Sequence, residues 1–459
     1  MRKVSALLLA SERRAISGLA GLYASRMLGL FMVLPVLALY ADGLAGSTPL
    51  LVGVALGIYG LTQALLQIPF GLWSDRIGRK RVIAFGLVLF ALGSVVAALA
   101  DSIGAMIGGR ALQGSGAVAA AIMALLADQT REQVRTAAMA TIGLSIGVAF
   151  ALAMVIGPWL AAWAGLAGVF WMTVLLTLLG LMVLWRWVPP APRRVQHRDV
   201  GMDRRQLRSV LSRPELWRLD VSIFALHFVL MAIFVAVPFR LIEAGISAAH
   251  HGLAYLAIMG LSFIAMLPLM IMAEKHQRMT RICLLAIGAI AVSLAGLGLP
   301  VSEGYWLFPW LFIFFTGFNL LEATLPSMLS KLAPAGAKGT AMGVYSTSQF
   351  LGAFLGGTLG GVLATVGGLD AVFLGCALLA LLWWVAMLNM PSPPPLSSEV
   401  VALGDTEGDT MDVLLDHLAG VAGVEDVMVV PEERLAYLKV NRQQLDQAAL
   451  AKLVTPPKS

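Results

Sequence analysis

Cysteine is almost missing from this 459-residue chain: there are two, Cys283 and Cys376. Both fall inside long apolar runs, so there is neither a disulfide framework nor a thiolate metal cluster, and they read as small apolar side chains. Charge is scarce too. Asp, Glu, Lys and Arg make up 13% of the residues, against about a quarter in soluble proteins. No Gly-x-x-x-x-Gly-Lys-Ser/Thr loop occurs, which argues against ATP-driven work through a P-loop on this chain. No metal-ligand cluster or nucleophile-base arrangement stands out either. Neither an enzyme nor a bound metal or cofactor is expected, and nothing points to nucleic acid.

What fills the chain instead is apolar sequence, 59% of it. Stretches of roughly 20 apolar residues are long enough to cross about 30 Å of hydrocarbon as helices. Twelve such spans are expected, over about 15–41, 50–73, 82–100, 104–127, 136–164, 167–188, 219–243, 250–273, 282–299, 305–331, 339–364 and 369–390. The basic start and short apolar patch of "MRKVSALLLASERRA" resemble a signal peptide, but Ser11-Glu12-Arg13-Arg14 stands where the cleavage site should be. The segment therefore reads as the approach to span 1. Lys and Arg set the orientation: 24 lie in the N-terminal segment and after the even-numbered spans, and only Arg240 follows an odd-numbered one. By the positive-inside rule both termini and the long middle loop are cytoplasmic.

That loop, residues 189–218, divides the spans into two bundles, 1–188 and 219–390, the layout of transporters built from related halves. Within it Asp203 can cap a helix with Leu207, Val210 and Leu211 on one face and Arg204, Arg205 and Arg208 on others, suited to lie on anionic lipid. The competing reading is that these arginines only enforce topology. After residue 390 the character changes. Residues 391–459 hold 11 acidic and 5 basic residues, and "PSPPPLSS" (391–398) is a stiff linker. Beyond it the pattern predicts a strand at Val400–Leu403, a helix with Met411, Leu414, Leu415 and Leu418 as its stripe, strands in "VEDVMVV" and "RLAYLKV" joined through Pro431-Glu432-Glu433, and a final helix through Leu445–Leu453. This βαββα order over 399–455 suits a small ferredoxin-like α+β domain on the cytoplasmic face. Lacking Cys, it is not a soft-metal carrier, and a regulatory or packing role is left.

Several stretches carry a family likeness. "GLWSDRIGRKR" (71–81), between spans 2 and 3, resembles motif A of the major facilitator superfamily, with Ser74 where Ala is usual. "GRALQGSGAVAAA" in span 4 is similar to motif B through Arg110, Gln113, Gly114 and Gly116, and "RMLGLFMVLPVL" in span 1 to the drug-proton antiporter branch through Leu28, Gly29, Leu34 and Pro35. In span 5, Gly143, Gly147, Gly157 and Pro158 loosely resemble antiporter motif C, with a spacing longer than its compact form. With the acidic tail, the chain is most similar to the YajR-type bacterial transporters. The resemblance covers residues 15–390. It implies an all-helical membrane fold of two six-helix bundles, a central cavity lined by spans 1, 4, 7 and 10, and a monomer in the bacterial inner membrane. It also implies that Asp75 caps the start of span 11 near Gly339-Thr340 and that Arg79 pairs with Asp128, making the stretch a conformational latch. Gly71 and Gly78 would then allow the turn and close approach, while Arg76, Lys80 and Arg81 suit the cytoplasmic surface.

Ionisable residues at bilayer depth face a cavity or a partner. Here they are Arg26 in span 1, Arg110 in span 4, His227 in span 7, and Glu322, beside Asn319, in span 10. All lie on the four implied cavity helices. Glu322 is the best proton carrier, since burial and a nearby Arg act oppositely on its acidity. The alternative is a static buried pair with Arg26 or Arg110. His227 reads as hydrogen-bonded cavity lining, and Arg110 either assists proton transfer or is structural. Gln63 and Gln67 could bond across to span 11, which carries Ser346, Ser348 and Gln349. The expected function is proton-coupled export of small amphipathic compounds, with small molecule, protons and lipid as partners. The alternatives are proton symport or facilitated uptake of a nutrient, and a membrane sensor signalling through the tail.

Overall fold

The computed structural model describes residues 8–190, 207–299, 304–394, 397–402, 411–430, 435–441 and 444–453. Among these, nine helices are long and apolar enough to cross a membrane. Two of them run on for 50 residues, 137–186 and 338–387, and double back at Gly165 (φ 66°) and Gly368 (φ 72°). Each therefore supplies two spans, 5 with 6 and 11 with 12. Only a residue tolerant of positive φ can sit at such a reversal. Ala10–Phe31, diluted by Glu12, Arg13, Arg14 and Arg26, adds span 1 and completes the twelve.

Span 2 covers Pro49–Ile77, span 3 Arg79–Ala98, span 7 Pro214–Glu243, span 8 His251–Lys275, span 9 Met279–Leu297 and span 10 Leu307–Leu332. Thr48 starts span 2 by accepting from the Leu51 N–H (3.2 Å), with Pro49 at the first helical position. Spans 1 and 4 are interrupted. Span 1 loses its helix at Met32–Val36, around Pro35, and resumes at Leu37–Tyr40. Span 4 breaks between Ile103–Ser115 and Ala119–Asp128. Unpaired backbone at bilayer depth is tolerated where other protein groups satisfy it, and Arg26 does so for the Gly116 carbonyl (3.2 Å).

The two halves meet through glycine. Span 11 presents Gly352, Gly356 and Gly360 to span 7 and Gly357 and Gly361 to span 2, at distances where a Cβ would strike backbone. Lipid offers no hydrophobic drive for helix association, so such small-residue stripes let backbones close in and gain dispersion energy. In the middle loop, Leu207–Leu211 is helical, with Val210 buried and Leu211 exposed. Val210 thus packs inward, unlike a helix that lays all its apolar residues on lipid; Asp203, Arg204 and Arg205 lie outside the described residues.

The tail forms an antiparallel sheet of order β1-β3-β2, from Ser397–Ala402 (β1), Val424–Val430 (β2) and Leu435–Val440 (β3), with helices Met411–Ala419 and Gln447–Leu453. This is the ferredoxin-like order. β1 starts within the stretch read as linker and ends before Leu403. Alternation in β3 sends Ala436, Leu438 and Val440 into the tail's core with Leu418 and Leu450. Tyr437 and Lys439 point the other way, to the end of span 10. Lys439 Nζ donates to the Ser330 carbonyl (2.6 Å), Asp426 accepts from the Ala335 N–H (3.0 Å), and Tyr437 is buried against Ala335 and Met428. A cation on the last carbonyls of a helix satisfies orphan acceptors and opposes the negative end of its dipole.

Candidate functional site

In the N-terminal half, Arg26 and Arg110 are both 1% exposed. Arg26 Nη2 donates to Tyr59 Oη (2.7 Å), Gln63 Oε1 (3.1 Å) and the Gly116 carbonyl, and its guanidinium lies over the Phe90 ring. Arg110 donates to the Ala55 carbonyl (3.3 Å) and Gln113 Oε1 (2.8 Å) and lies over Tyr59, while Gln113 donates to Ser94 Oγ (2.7 Å). All these partners are neutral. Two cations are thus held without a carboxylate by spans 1 to 4, and Arg26 Nε and Nη1 have no hydrogen bond. The buried pair of either arginine with Glu322 is not formed. Tyr59, between the two, was not marked by sequence; its place one helical turn before Gln63 is the available signal.

In the C-terminal half, His227 and Glu322 come together, with His227 Nε2 3.8 Å from Glu322 Oε2. His227 Nε2 also lies 2.8 Å from Gln349 Nε2, and its Nδ1 3.3 Å from the Ile223 carbonyl. With the Gln349 amide N–H toward Nε2, these partners fit a neutral imidazole protonated at Nδ1, the tautomer following the orientation of that amide. With Gln349 on its Nε2, Glu322 Oε2 has no hydrogen bond, although the Glu322 side chain as a whole is 40% exposed. Asn319, one turn before Glu322, is buried with a free Nδ2. Phe318 lies beside His227, the rings tilted by 59°, and reaches Phe150 across the seam, with ring centroids 6.0 and 5.9 Å apart. Of the predicted glutamine links to span 11, one forms: Gln67 Nε2 donates to Thr347 Oγ1 (2.7 Å) rather than to Ser346, Ser348 or Gln349. Gln63 turns instead to Arg26.

At the cytoplasmic ends, Arg79 Nε donates to Asp128 (3.0 Å), whose side chain is 1% exposed, while Arg79 Nη1 reaches Ser74 Oγ (3.0 Å) and Asp75. Asp75 therefore sits on Arg79 and not on Gly339-Thr340 as the resemblance implies. Gly78 (φ 107°) ends span 2 in a conformation other residues resist. At Gly71 a Cβ would rest 3.6 Å from Ala120, an ordinary contact, so close approach does not demand glycine there. Arg76 is exposed. Beside this cluster is a pair the sequence did not single out: Arg131 grips Glu12 through Nε (2.9 Å) and Nη2 (3.0 Å), and its N–H donates as well (3.0 Å). The bond draws the Glu12 carboxyl, on the cytoplasmic side of the first crossing, down to about 2.

Contacts between spans 2 and 11 reach the ends assigned to the outside and continue inward through Gly60 against Phe350 and the Gln67–Thr347 bond. Gly357 meets Gly53 and Gly57, Gly361 meets Pro49 and Leu50, and Gly252 of span 8 meets Val155 of span 5. Gly157, with Pro158 following, lies against the Met32 carbonyl at the break in span 1. Gly143 and Gly147, nearer the cytoplasm, have nothing within 4 Å of a Cβ. The seam is closed on the outer side, above the Glu322 and His227 level.

Comparison with known proteins gives concordant likenesses. The profile of the Major Facilitator Superfamily matches residues 19–357 and 324–442. The chain is 46% identical over 442 residues to the inner membrane transport protein YajR of Escherichia coli (strain K12), covering 95% of this chain and 97% of that one. It is 27% identical to the multidrug resistance protein MdtH of Edwardsiella ictaluri, over 80% of this chain and 92% of that one. Among solved structures, the human organic anion transporter MFSD10 (TETRAN) superposes with a TM-score of 0.59 at 17% identity, covering 83% of this chain and all of that one.

Proposed function

Because this chain belongs to the Major Facilitator Superfamily and is a multi-pass inner-membrane transporter, we propose that it exports small amphipathic compounds in exchange for protons, with Glu322 as proton carrier. The observation that carries the reading is Glu322 Oε2, without a hydrogen bond and 3.8 Å from His227, with no Arg or Lys paired to it among the described residues. A fixed ion pair would keep the carboxylate charged throughout the cycle. An unpaired one can be neutral in one conformation and charged in another, as its exposure and its distance from Arg26 and Arg110 change. The likeness to a multidrug resistance protein supports the substrate class.

The closed outer seam supports an alternating-access cycle. With the outer ends of spans 2 and 11 in backbone contact, the site opens to the cytoplasm, and Asp75 is released to Arg79. In the opposite state Asp75 moves to the N–H groups at the start of span 11, where the helix dipole favours an anion, and closes the inner side. The proton gradient drives the cycle, each charge crossing 100 mV being worth about 2.3 kcal/mol. The test is uptake of a fluorescent amphipathic cation such as ethidium, and of amphipathic anions, into proteoliposomes under an imposed pH gradient. Gradient-driven flux that Glu322→Gln abolishes, while gradient-independent exchange survives, is the expected result. Flux in Glu322→Gln equal to wild type would remove Glu322 from the mechanism.

A further inference from the structure

We propose that Asp220 and Tyr345 form the cytoplasmic proton exit of Glu322, a relay that rests on the carrier role just assigned. Asp220 lies six residues into span 7, about 9 Å from its cytoplasmic end at 1.5 Å per residue. It is 8% exposed, and its Oδ1 has no hydrogen bond. A buried carboxylate kept for structure would have a partner, since leaving one unpaired is costly. Tyr345 of span 11 shows the same anomaly: it is 3% exposed with an unpartnered hydroxyl.

These two groups belong to one line with the central site. Asp220 and His227 are seven residues apart, two turns on one face of span 7, and Tyr345 and Gln349 are one turn apart on span 11. Spans 7 and 11 run parallel, with Gly352 against Phe224, Gly356 against Phe228 and Gly360 against Ala232. In this register Tyr345, seven residues before Gly352, lies level with Trp217 and within a turn of Asp220, while the Gln349 side chain reaches outward to His227. Tyr345 is within electrostatic reach of Glu322, Asp220 and Cys283. Those are the titratable groups that spans 10, 7 and 9 turn to it. Span 12 meets this part of span 7 with Trp383 and Met387, both bound to Ser222. No cation competes for the proton among the described residues.

In the inward-open state the step is a transfer of one proton. No direct hydrogen bond joins the three groups, so water bridges them: the Glu322 carboxyl gives its proton through water to the Tyr345 oxygen while the Tyr345 hydroxyl proton passes through water to the Asp220 carboxylate. Asp220 then releases it to cytoplasmic water. Tyr345 and Asp220 end as they began, Glu322 is left ionised, and no co-reactant is required. Asp220 is charged only between turnovers, near enough to the surface for water to solvate it.

The test uses full-length protein in lipid nanodiscs and time-resolved infrared detection of the carboxylic C=O stretch after a pH jump. The Glu322 signal is the band lost in Glu322→Gln. Asp220→Asn and Tyr345→Phe should each slow that band's response about tenfold or more, with its equilibrium amplitude unchanged, and Asp220→Glu should restore the rate. Wild-type kinetics in both Asp220→Asn and Tyr345→Phe would overturn the relay while leaving the carrier in place. A spectrum that Glu322→Gln does not alter would overturn the carrier, and the relay with it. Tyr345→Phe removes only a hydroxyl, so it answers the question even if the Asp220 variants fold poorly.

Discussion

Adding one methyl group at Gly357 should tilt the protein away from the outward-closed state. A Cβ there would stand 2.6 Å from the Gly53 carbonyl oxygen and 3.0 Å from the Gly57 nitrogen, both backbone atoms that no rotamer change can move aside. Restoring ordinary contact requires spans 2 and 11 to part by about 1 Å. Overpacking of this kind costs about 1–3 kcal/mol, and it acts only while the outer seam is closed. The ratio of outward-closed to outward-open protein should therefore fall by about 5- to 150-fold. Spin labels on Thr48→Cys and Val366→Cys, exposed at the outer ends of the two spans, would report this as a longer distance population in double electron-electron resonance; the native cysteines are buried. Two comparisons sharpen the measurement. Gly356→Ala strikes Phe228 backbone within the same half, so it should lower thermal stability without moving the labels. Gly143→Ala has nothing within 4 Å and should do neither. An unchanged distance distribution in Gly357→Ala, or an equal shift in Gly143→Ala, would refute the reasoning.

Two further outcomes are expected at the cytoplasmic face. Arg131→Gln strands the buried Glu12 carboxylate and should cost about 1–3 kcal/mol at neutral pH. Because the Glu12 carboxyl is depressed from 4.5 to about 2 in the folded protein, that contribution is complete above pH 4.5 and is lost as pH falls toward 2. Melting curves in detergent should show the wild-type advantage shrinking across that window, and an advantage constant with pH would contradict the assignment. Lys439→Ala removes the cation from the end of span 10 and should raise hydrogen exchange at the Ala335 amide about tenfold, the equivalent of about 1.4 kcal/mol, with the tail's own sheet still protected. Exchange equal to wild type would mean the tail is not held through Lys439.

Composition and spacing are enough to establish the membrane class, twelve spans, their orientation and a βαββα tail, because each depends on local properties. Hydropathy decides which stretches enter lipid, Lys and Arg decide which loops stay inside, and a period of two marks the strands. The charged residues at depth, Arg26, Arg110, His227 and Glu322, were visible for the same reason: hydrocarbon tolerates few of them. Their pairing was not visible. Arg26 and Arg110 turned to Tyr59, Gln63, Gln113 and backbone carbonyls, leaving Glu322 with His227 on the other half. Partner choice depends on helix rotation and on breaks such as the one at Gly116, which side-chain periodicity does not encode. The glycines divide in the same way. By sequence Gly143, Gly147 and Gly357 are alike, and only packing shows that two face open space while the third touches backbone across the seam. Asp75 was expected at the start of span 11, and packing places it on Arg79 instead. Sequence determines which helices exist and which side each end faces; which faces touch, and in which state, is settled only when twelve helices share one volume.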